Sequence, residues 1–313
     1  MATEGVRIRL NHLSRIGFTA AVVLTIVSLT AAEAAEGVLT KRRVNEFGGV
    51  SGRNGGNRYL AWAQSPIDRG RRTKVMARRN GNTFRASARG TRAFTGGITG
   101  DLLIYQQINN GQSDLMGFNL RTRNRFEFSG PSTRDWEFRP TMSGRWILFA
   151  RDFRLRDTVV LYNRNTQQSR QLAEVRTRNG RRGVLPGQVN GKWVVYHKCN
   201  RQGCDVFRYN IRTRNTMRIP SRRPYQYVPS VAPDGDVYFV ASGRACGSRV
   251  QLLRRRNGKT TKIARLGQKD SFDTYAGPAP GTRTDVLFSK IRCADNGTVA
   301  RRPRADVYKV RVR

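Results

Sequence analysis

The stretch RWILFA at residues 145–150 is one of six short apolar runs that each carry an aromatic residue near the end. The other five are RYLAWA (58–63), DLLIYQ (101–106), KWVVYH (192–197), DVYFVA (236–241) and DVLFSK (285–290). The aromatic residues recur every 43 to 49 residues, at Trp62, Tyr105, Phe149, Tyr196, Phe239 and Phe288. A repeat of this length built from strand-like runs is typical of the blades of a β-propeller.

A second repeated element precedes each apolar run and has Gly or Pro at its centre. The copies are EFGGVSG (46–52), FTGGITG (94–100), FRPTMSG (138–144), VLPGQVNG (184–191), YVPSVAPDG (227–235) and YAGPAPG (275–281). Small residues suit the innermost strand of a blade, because these strands crowd around one axis and Gly lets backbones approach closely. Two further runs with strand-like alternation follow each apolar run, for example DVFRYNI (205–211) and TMRIP (216–220).

These repeats predict an all-β fold, a six-bladed β-propeller that occupies residues 35–313 as one domain. The blades are expected at about 44–90, 91–134, 135–180, 181–223, 224–270 and 271–313. The sixth unit reaches Arg313 after its third strand. A strand at residues 37–43 is therefore expected to close the last blade, which removes two exposed sheet edges. A two-sheet sandwich is the alternative, but it would not need three elements repeated in one order.

The repeat unit resembles that of the TolB-like propellers, also described as the WD40-like PD40 repeat. The best matches are PSVAPDGDVYFVASG (229–243), DVFRYNIRTRN (205–215) and RPTMSGRWILFARD (139–152). The resemblance covers nearly all of residues 37–313, although one copy alone has the full Pro-Asp-Gly and Arg replaces the family's acidic and hydroxylic surface. It implies a protein-binding platform at the cell envelope, or the accessory domain of a serine peptidase.

The N-terminal segment has the pattern of a secretory signal peptide. Arg7, Arg9 and Arg15 precede an uncharged run at residues 16–32, and Ala32-Glu33-Ala34 offers a small-x-small cleavage site. We expect cleavage after Ala34, so that residues 1–34 are removed and the protein is exported to the periplasm or the extracellular space, with no membrane span left. The alternative is an uncleaved anchor, for which 17 apolar residues are at the short limit.

An even number of cysteines in an exported chain predicts disulfides. Cys199 and Cys204 flank a tight turn and are expected to pair across it, while Cys246 and Cys293 occupy corresponding loops of the next two repeats and are expected to join neighbouring blades. A metal site at His197, Cys199 and Cys204 is the alternative, but it lacks an evident fourth ligand. We predict no metal and no cofactor.

The formal net charge is +38, and Arg accounts for fifty of the 59 cationic residues. A charge of this size predicts attraction to polyanions, and Arg binds carboxylates and phosphates through paired hydrogen bonds. The loop face expected to bind a partner holds Arg69, Arg71, Arg72, Arg151, Arg154, Arg156, Arg181, Arg182, Arg301, Arg302 and Arg304. The alternative is a well-solvated surface with a biased composition. Nucleic acid is not an expected physiological partner of an exported protein.

The sequence favours a monomeric, non-catalytic module that binds an envelope protein or an anionic surface polymer. No GxSxG motif is present, and His197 is the one histidine that remains after signal removal. The alternative is a carbohydrate-active enzyme or lectin with its site at the channel mouth, which would need paired carboxylates or arginines that hold a carboxylate. Asp135 and Glu137, on either side of Trp136, are candidates for that mouth; the alternative for this segment, which we favour, is a charged turn with Trp136 packed between blades.

Overall fold

The computed structural model describes residues 36–37, 44–66, 73–153, 156–177, 183–242, 250–267, 269–277, 284–292 and 305–312. All the regular secondary structure in these ranges is β-strand. In chain order the strands are β1 (Glu36–Gly37), β2 (Val44–Asn54), β3 (Asn57–Pro66), β4 (Lys74–Arg79), β5 (Asn82–Arg85), β6 (Arg92–Thr99), β7 (Leu102–Asn109), β8 (Gln112–Asn119), β9 (Arg125–Glu127), β10 (Trp136–Ser143), β11 (Trp146–Phe153), β12 (Arg156–Asn163), β13 (Gln168–Arg176), β14 (Gly183–Asn190), β15 (Trp193–Cys199), β16 (Cys204–Asn210), β17 (Thr216–Ile219), β18 (Tyr225–Val231), β19 (Val237–Ser242), β20 (Val250–Arg256), β21 (Lys259–Gly267), β22 (Lys269–Ala276), β23 (Thr284–Arg292) and β24 (Ala305–Val312).

The strands pair as antiparallel meanders. Strands β2–β5, β6–β9 and β10–β13 form three four-stranded sheets, and a fourth has the order β1-β24-β23-β22. Strands β14–β21 form one eight-stranded sheet, whose halves β14–β17 and β18–β21 are joined by a single parallel pairing of Cys204 with Tyr225. The first strands β2, β6, β10, β14, β18 and β22 contact one another in that order, and β22 contacts β2. The sheets therefore surround a central axis, and the predicted all-β propeller is confirmed.

The predicted crowding at the axis is visible in every first strand. Each of the six has a register shift at its middle, so each bulges where it approaches the others. Gly and Pro from these bulges line a narrow cavity of about 80 Å³. At Gly96, a Cβ would overlap the backbone carbonyl oxygens of Ile104 and Pro140. Backbone therefore packs directly on backbone here, which leaves no room for a side chain.

The repeated aromatic residues lie in the core of the protein. Trp62, Tyr105, Phe149 and Phe239 have no exposed surface, and Phe288 is 1% exposed. One apolar cluster joins Trp62 of the first sheet to residues of the second sheet and of the sheet that contains β24. Three further clusters also lie between neighbouring sheets, and one lies within the eight-stranded sheet. Burial of apolar surface therefore holds the sheets side by side.

The N-terminal side of the chain supplies the outer strand of the last sheet. Glu36 and Gly37 pair with Lys309 and Tyr308 in antiparallel register. The predicted closing strand at residues 37–43 is therefore placed correctly in the topology, but the segment seen to pair is Glu36–Gly37, and residues 38–43 lie outside the described ranges.

Replacing Gly96 with Ala tests the close approach of the first strands. We expect the free energy of unfolding to fall by about 3 kcal/mol, because two backbone segments would have to move apart. Gly56→Ala is the matched control, since a Cβ at Gly56 would meet no atom within 4 Å. Urea denaturation of both variants checks the prediction, and similar stabilities of the two would contradict it.

Candidate functional site

A cavity of about 630 Å³ opens where the first strands begin. It is bordered by the first residues of β2, β6, β10 and β24 and by the last residues of β7 and β11. Strands β3 and β11 end on this side, and β4 and β12 begin on it. A cavity of several hundred cubic ångströms is of the size that holds small ligands or a few residues of a partner.

Aromatic side chains form much of the cavity wall. Phe47, Phe94 and Phe138 come from β2, β6 and β10, and the rings of Phe47 and Phe94 lie 6.3 Å apart. Trp136 also lines the cavity and is 44% exposed. Its indole Nε1–H donates to the carbonyl oxygen of Gly111 at 2.7 Å, which fixes the ring against the preceding sheet. The wall is thus apolar, partly exposed and held in place.

Two arginines, Arg92 and Arg139, lie beside this aromatic wall and are exposed. The guanidinium of Arg92 lies 4.9 Å from the ring centre of Phe94. In the described part of the chain neither arginine forms an ion pair, whereas Arg254 lies 2.6 Å from a carboxylate oxygen of Asp236. Arg92 and Arg139 therefore keep their hydrogen-bond donors available for a ligand.

The backbone at Arg139 has an unusual conformation. Arg139 occupies the bulge of β10 with φ at 50°, and Pro140 follows. In β2 the corresponding bulge position holds Gly48, with φ at 61°. Gly adopts this left-handed conformation freely, whereas a residue with a Cβ loses about 1–2 kcal/mol in it. Arg at this position is therefore unfavourable for folding, and it brings a cation to both the large cavity and the central one.

The structure gives Arg151, one of the predicted binding residues, a structural partner. Its Nε lies 3.1 Å from Oε1 of Glu137, and its Nη2 donates to the carbonyl oxygen of Pro131 at 2.9 Å. Glu137 has no exposed surface and also accepts a hydrogen bond from Thr133 at 2.6 Å. Burial raises the pKa of Glu137, and the bonds from Thr133 and Arg151 act in the opposite direction. Arg151 therefore compensates a buried carboxylate.

Of the other ten arginines predicted for the binding face, the structure describes one. Arg156 is exposed and lies 3.5 Å from Glu174. The nine that lie outside the described residues are Arg69, Arg71, Arg72, Arg154, Arg181, Arg182, Arg301, Arg302 and Arg304. Sequence reasoning missed Arg92 and Arg139, although a signal was present. Phe47, Phe94 and Phe138 each lie within two residues of the Gly or Pro at the centre of a repeated segment, and the two arginines lie within two residues of Phe94 and Phe138.

The cysteine prediction is confirmed for one pair. Cys199 and Cys204 form a disulfide across the β15–β16 turn; Cys246 and Cys293 lie outside the described ranges. The alternative metal site at His197, Cys199 and Cys204 is wrong, because both thiols are in the disulfide and His197 is buried. Burial, with a smaller effect of the Arg139 charge, lowers the pKa of His197 to about 3, so the imidazole is neutral at pH 7.

Carboxylates are scarce at the cavity. Asp152 is the one acidic residue of the described lining, and Glu137, a candidate for the mouth, is instead buried under Arg151. Asp152 faces Asp157 across β11 and β12. Burial and the charge of Asp152 raise the pKa of Asp157 to about 6, against a hydrogen bond from the Val184 amide that lowers it. In the described part of the chain, no three His, Cys, Asp or Glu residues come together as a metal site.

Comparison with solved structures supports the architecture. The chain superposes on TolB from Acinetobacter baumannii with a TM-score of 0.56 and 12% identity, covering 81% of this chain and 63% of that one. The fold is that of the TolB-like β-propellers. A putative TolB from Agrobacterium tumefaciens gives a TM-score of 0.53 at 10% identity, covering 83% of this chain and 89% of that one. Identities this low establish the fold alone.

A third structural neighbour is a sialidase. Trypanosoma rangeli sialidase, solved with the inhibitor DANA, gives a TM-score of 0.58 at 9% identity and covers 90% of this chain and 60% of that one. No family model and no curated protein matches the sequence. In the described ranges no helix is long and apolar enough to cross a membrane.

Replacing Arg151 with Ser is expected to destabilise the protein. The free energy of unfolding should fall by about 3 kcal/mol, because Glu137 would remain buried without its cation. Arg156→Ser is the matched control from the same sheet and should cost less than about 1 kcal/mol, since its ion pair with Glu174 is exposed. Urea denaturation at pH 7 checks both, and equal losses would contradict the structural role of Arg151.

Asp157→Asn is expected to change the pH dependence of stability. Because the folded-state pKa of Asp157 lies above its unfolded value of about 4, the contribution of this group is fully present below pH ~4 and is lost as the pH rises through about 6. Asn resembles the protonated form. The variant should therefore be more stable than the wild type at pH 7, by about 1 kcal/mol after allowance for solvent screening, and equally stable at pH ~4. Thermal unfolding at both pH values checks this, and a pH-independent difference would contradict it.

Proposed function

We propose that the protein is an exported, non-catalytic binding module of the cell envelope or secreted space. It binds a protein partner or an anionic polymer on the Arg-rich face of the propeller. The observation that carries this proposal is the 630 Å³ cavity, where a partly exposed aromatic wall adjoins two arginines that have no ion-pair partner in the described structure. A site of this composition offers both apolar burial and charge pairing to an incoming group.

We also propose that the propeller has six blades. In this interpretation the eight-stranded sheet is two blades, β14–β17 and β18–β21, which pack against each other and are joined by one pairing of strand residues. Each half begins with a bulged strand, like the other sheets. Six first strands then line the axis, and β1 completes the blade of β22–β24.

Export is supported by two independent features. The segment at residues 1–34 has the charge and hydropathy pattern of a signal peptide, and the Cys199–Cys204 disulfide is typical of an oxidising compartment. The structural likeness to TolB proteins agrees with a role at the envelope, and the net charge of +38 agrees with an anionic partner or surface.

A capture experiment from envelope extract tests the proposal. The baits are the wild type, a cavity variant with Arg92→Gln and Arg139→Gln, and a control variant with Arg53→Gln and Arg212→Gln. The control removes the same charge from exposed positions at the opposite ends of the strands. At about 150 mM NaCl, where weak surface attraction is screened, the cavity variant should lose its partner and the control should keep it. Equal capture by all three would contradict a role for the cavity.

The alternative, a carbohydrate-active enzyme, keeps one supporting observation, the position of Asp152 in the cavity opposite Asp157. Incubation of purified protein with envelope polysaccharides separates the two functions. The binding proposal predicts that no reducing sugar is released. Release that Asp152→Asn abolishes would favour the enzyme, because a glycosidase needs such a carboxylate.

A further inference from the structure

The cavity combines a large apolar wall with two cations, and this combination narrows the chemistry of its ligand. We propose that it receives the C-terminal residue of a partner protein, with the terminal carboxylate on Arg92 and Arg139 and a large apolar side chain against Phe47, Phe94 and Trp136. The proposal rests on the binding function above and names the part of the partner that enters.

The apolar wall selects for an apolar side chain. Phe47, Phe94 and Phe138 are partly exposed, and Trp136 is 44% exposed even though its indole N–H is already bonded to Gly111. A ring fixed in this way offers its face without needing a further hydrogen bond. Contact with an apolar side chain would remove this surface from water, which is the main driving force for such contacts.

The polar groups of the lining do not fit a sugar ring as well. The Oδ1 atom of Asn45 accepts a hydrogen bond from the Ala305 amide at 3.0 Å, and the Nε2 atom of Gln106 donates to Ser113 at 2.9 Å. A sugar presents a hydroxyl on nearly every carbon and needs many partners, and one polar atom of each of these two amides is already engaged. A single carboxylate needs only the arginines.

Both arginines line the same cavity, and a guanidinium suits a carboxylate. Stacking of Arg92 on Phe94 leaves the N–H groups at the edge of the guanidinium free, and these form the fork that matches two carboxylate oxygens. Arg139 is brought to the same cavity by a bulge that holds its backbone at φ 50°. Val228 has a similar φ of 45° at the equivalent bulge of β18, so this conformation belongs to the fold, and it is the guanidinium of Arg139 that points to a ligand.

The C-terminal residue of a chain can supply both a carboxylate and a large apolar side chain. An internal Asp or Glu carries a carboxylate without a large apolar group, whereas a C-terminal Phe, Leu or Trp carries both on the same Cα. Capture of a terminal carboxylate is a recurring mode of peptide recognition. The carboxylate of Asp152, also in the lining, can accept the N–H of that last residue.

Three synthetic peptides test the proposal by isothermal titration with the purified protein at about 150 mM NaCl. They are Ac-Gly-Ser-Gly-Phe with a free carboxylate, the same peptide with a C-terminal amide, and Ac-Gly-Ser-Gly-Ala with a free carboxylate. We expect the amide to bind at least about tenfold more weakly because the charge-assisted bonds are lost. The Ala peptide should also bind about tenfold more weakly than the Phe acid. The double variant Arg92→Gln with Arg139→Gln should bind the Phe acid and the Phe amide equally. The Arg53→Gln with Arg212→Gln control should match the wild type.

Several results would overturn the proposal. These are no binding of the Phe acid up to about 5 mM, equal binding of acid and amide by the wild type, or unchanged binding by the Arg92 and Arg139 variant with its melting temperature preserved. Cavity-dependent binding of polygalacturonate without binding of any peptide would also overturn it, while leaving the proposed binding module intact. Failure of peptides, polygalacturonate and envelope capture together would remove both proposals.

Discussion

The close approach of six backbones at one axis is the constraint on which the rest of the structure depends. Side chains are excluded where Gly96 meets the carbonyl oxygens of Ile104 and Pro140, and each first strand bulges there to relieve the crowding. The bulges then determine where the side chains before and after them point. Phe47, Phe94, Phe138 and Arg139 all precede or occupy a bulge. The composition of the cavity is therefore a consequence of how the strands pass the axis.

Arginine has two different roles in this molecule. Some arginines pair with carboxylates that the fold buries, as Arg151 does with Glu137 and Arg254 with Asp236, which is 5% exposed. Arg92 and Arg139 are exposed beside aromatic rings, without an ion pair in the described ranges. Removing an arginine of the first kind leaves an uncompensated charge in a poorly solvated place, whereas one of the second kind can be replaced at little cost to folding. The net charge alone does not separate these roles; the location of the carboxylates does.

The fold was predictable because its signals repeat. The buried aromatics from Trp62 to Phe288 recur every 43 to 49 residues, and the Gly/Pro centres of the first strands recur with them. Both sets of residues serve packing, and packing positions that repeat are visible as a period in the sequence. The candidate site was predicted less well. The sequence shows Arg151 as part of a charged segment, but its pairing with Glu137 is known only from the register of β10 with β11. Arg92 and Arg139 were overlooked because the cavity forms from residues of four sheets, and no spacing within one repeat predicts which residues meet there. The bounds of β1 depend on its pairing with β24, and the sequence of a short segment does not show which of its residues will pair.

The pairing of Glu36 and Gly37 with Lys309 and Tyr308 connects parts of the chain that are synthesised far apart in time. Contacts of such long sequence separation are slow to form, because the chain entropy between them is lost before they contribute stability. Until β24 has emerged, the first and last sheets keep open flanks that would bind other strands. A chain with this architecture therefore benefits from being shielded from other strands until β24 is available to pair with β1.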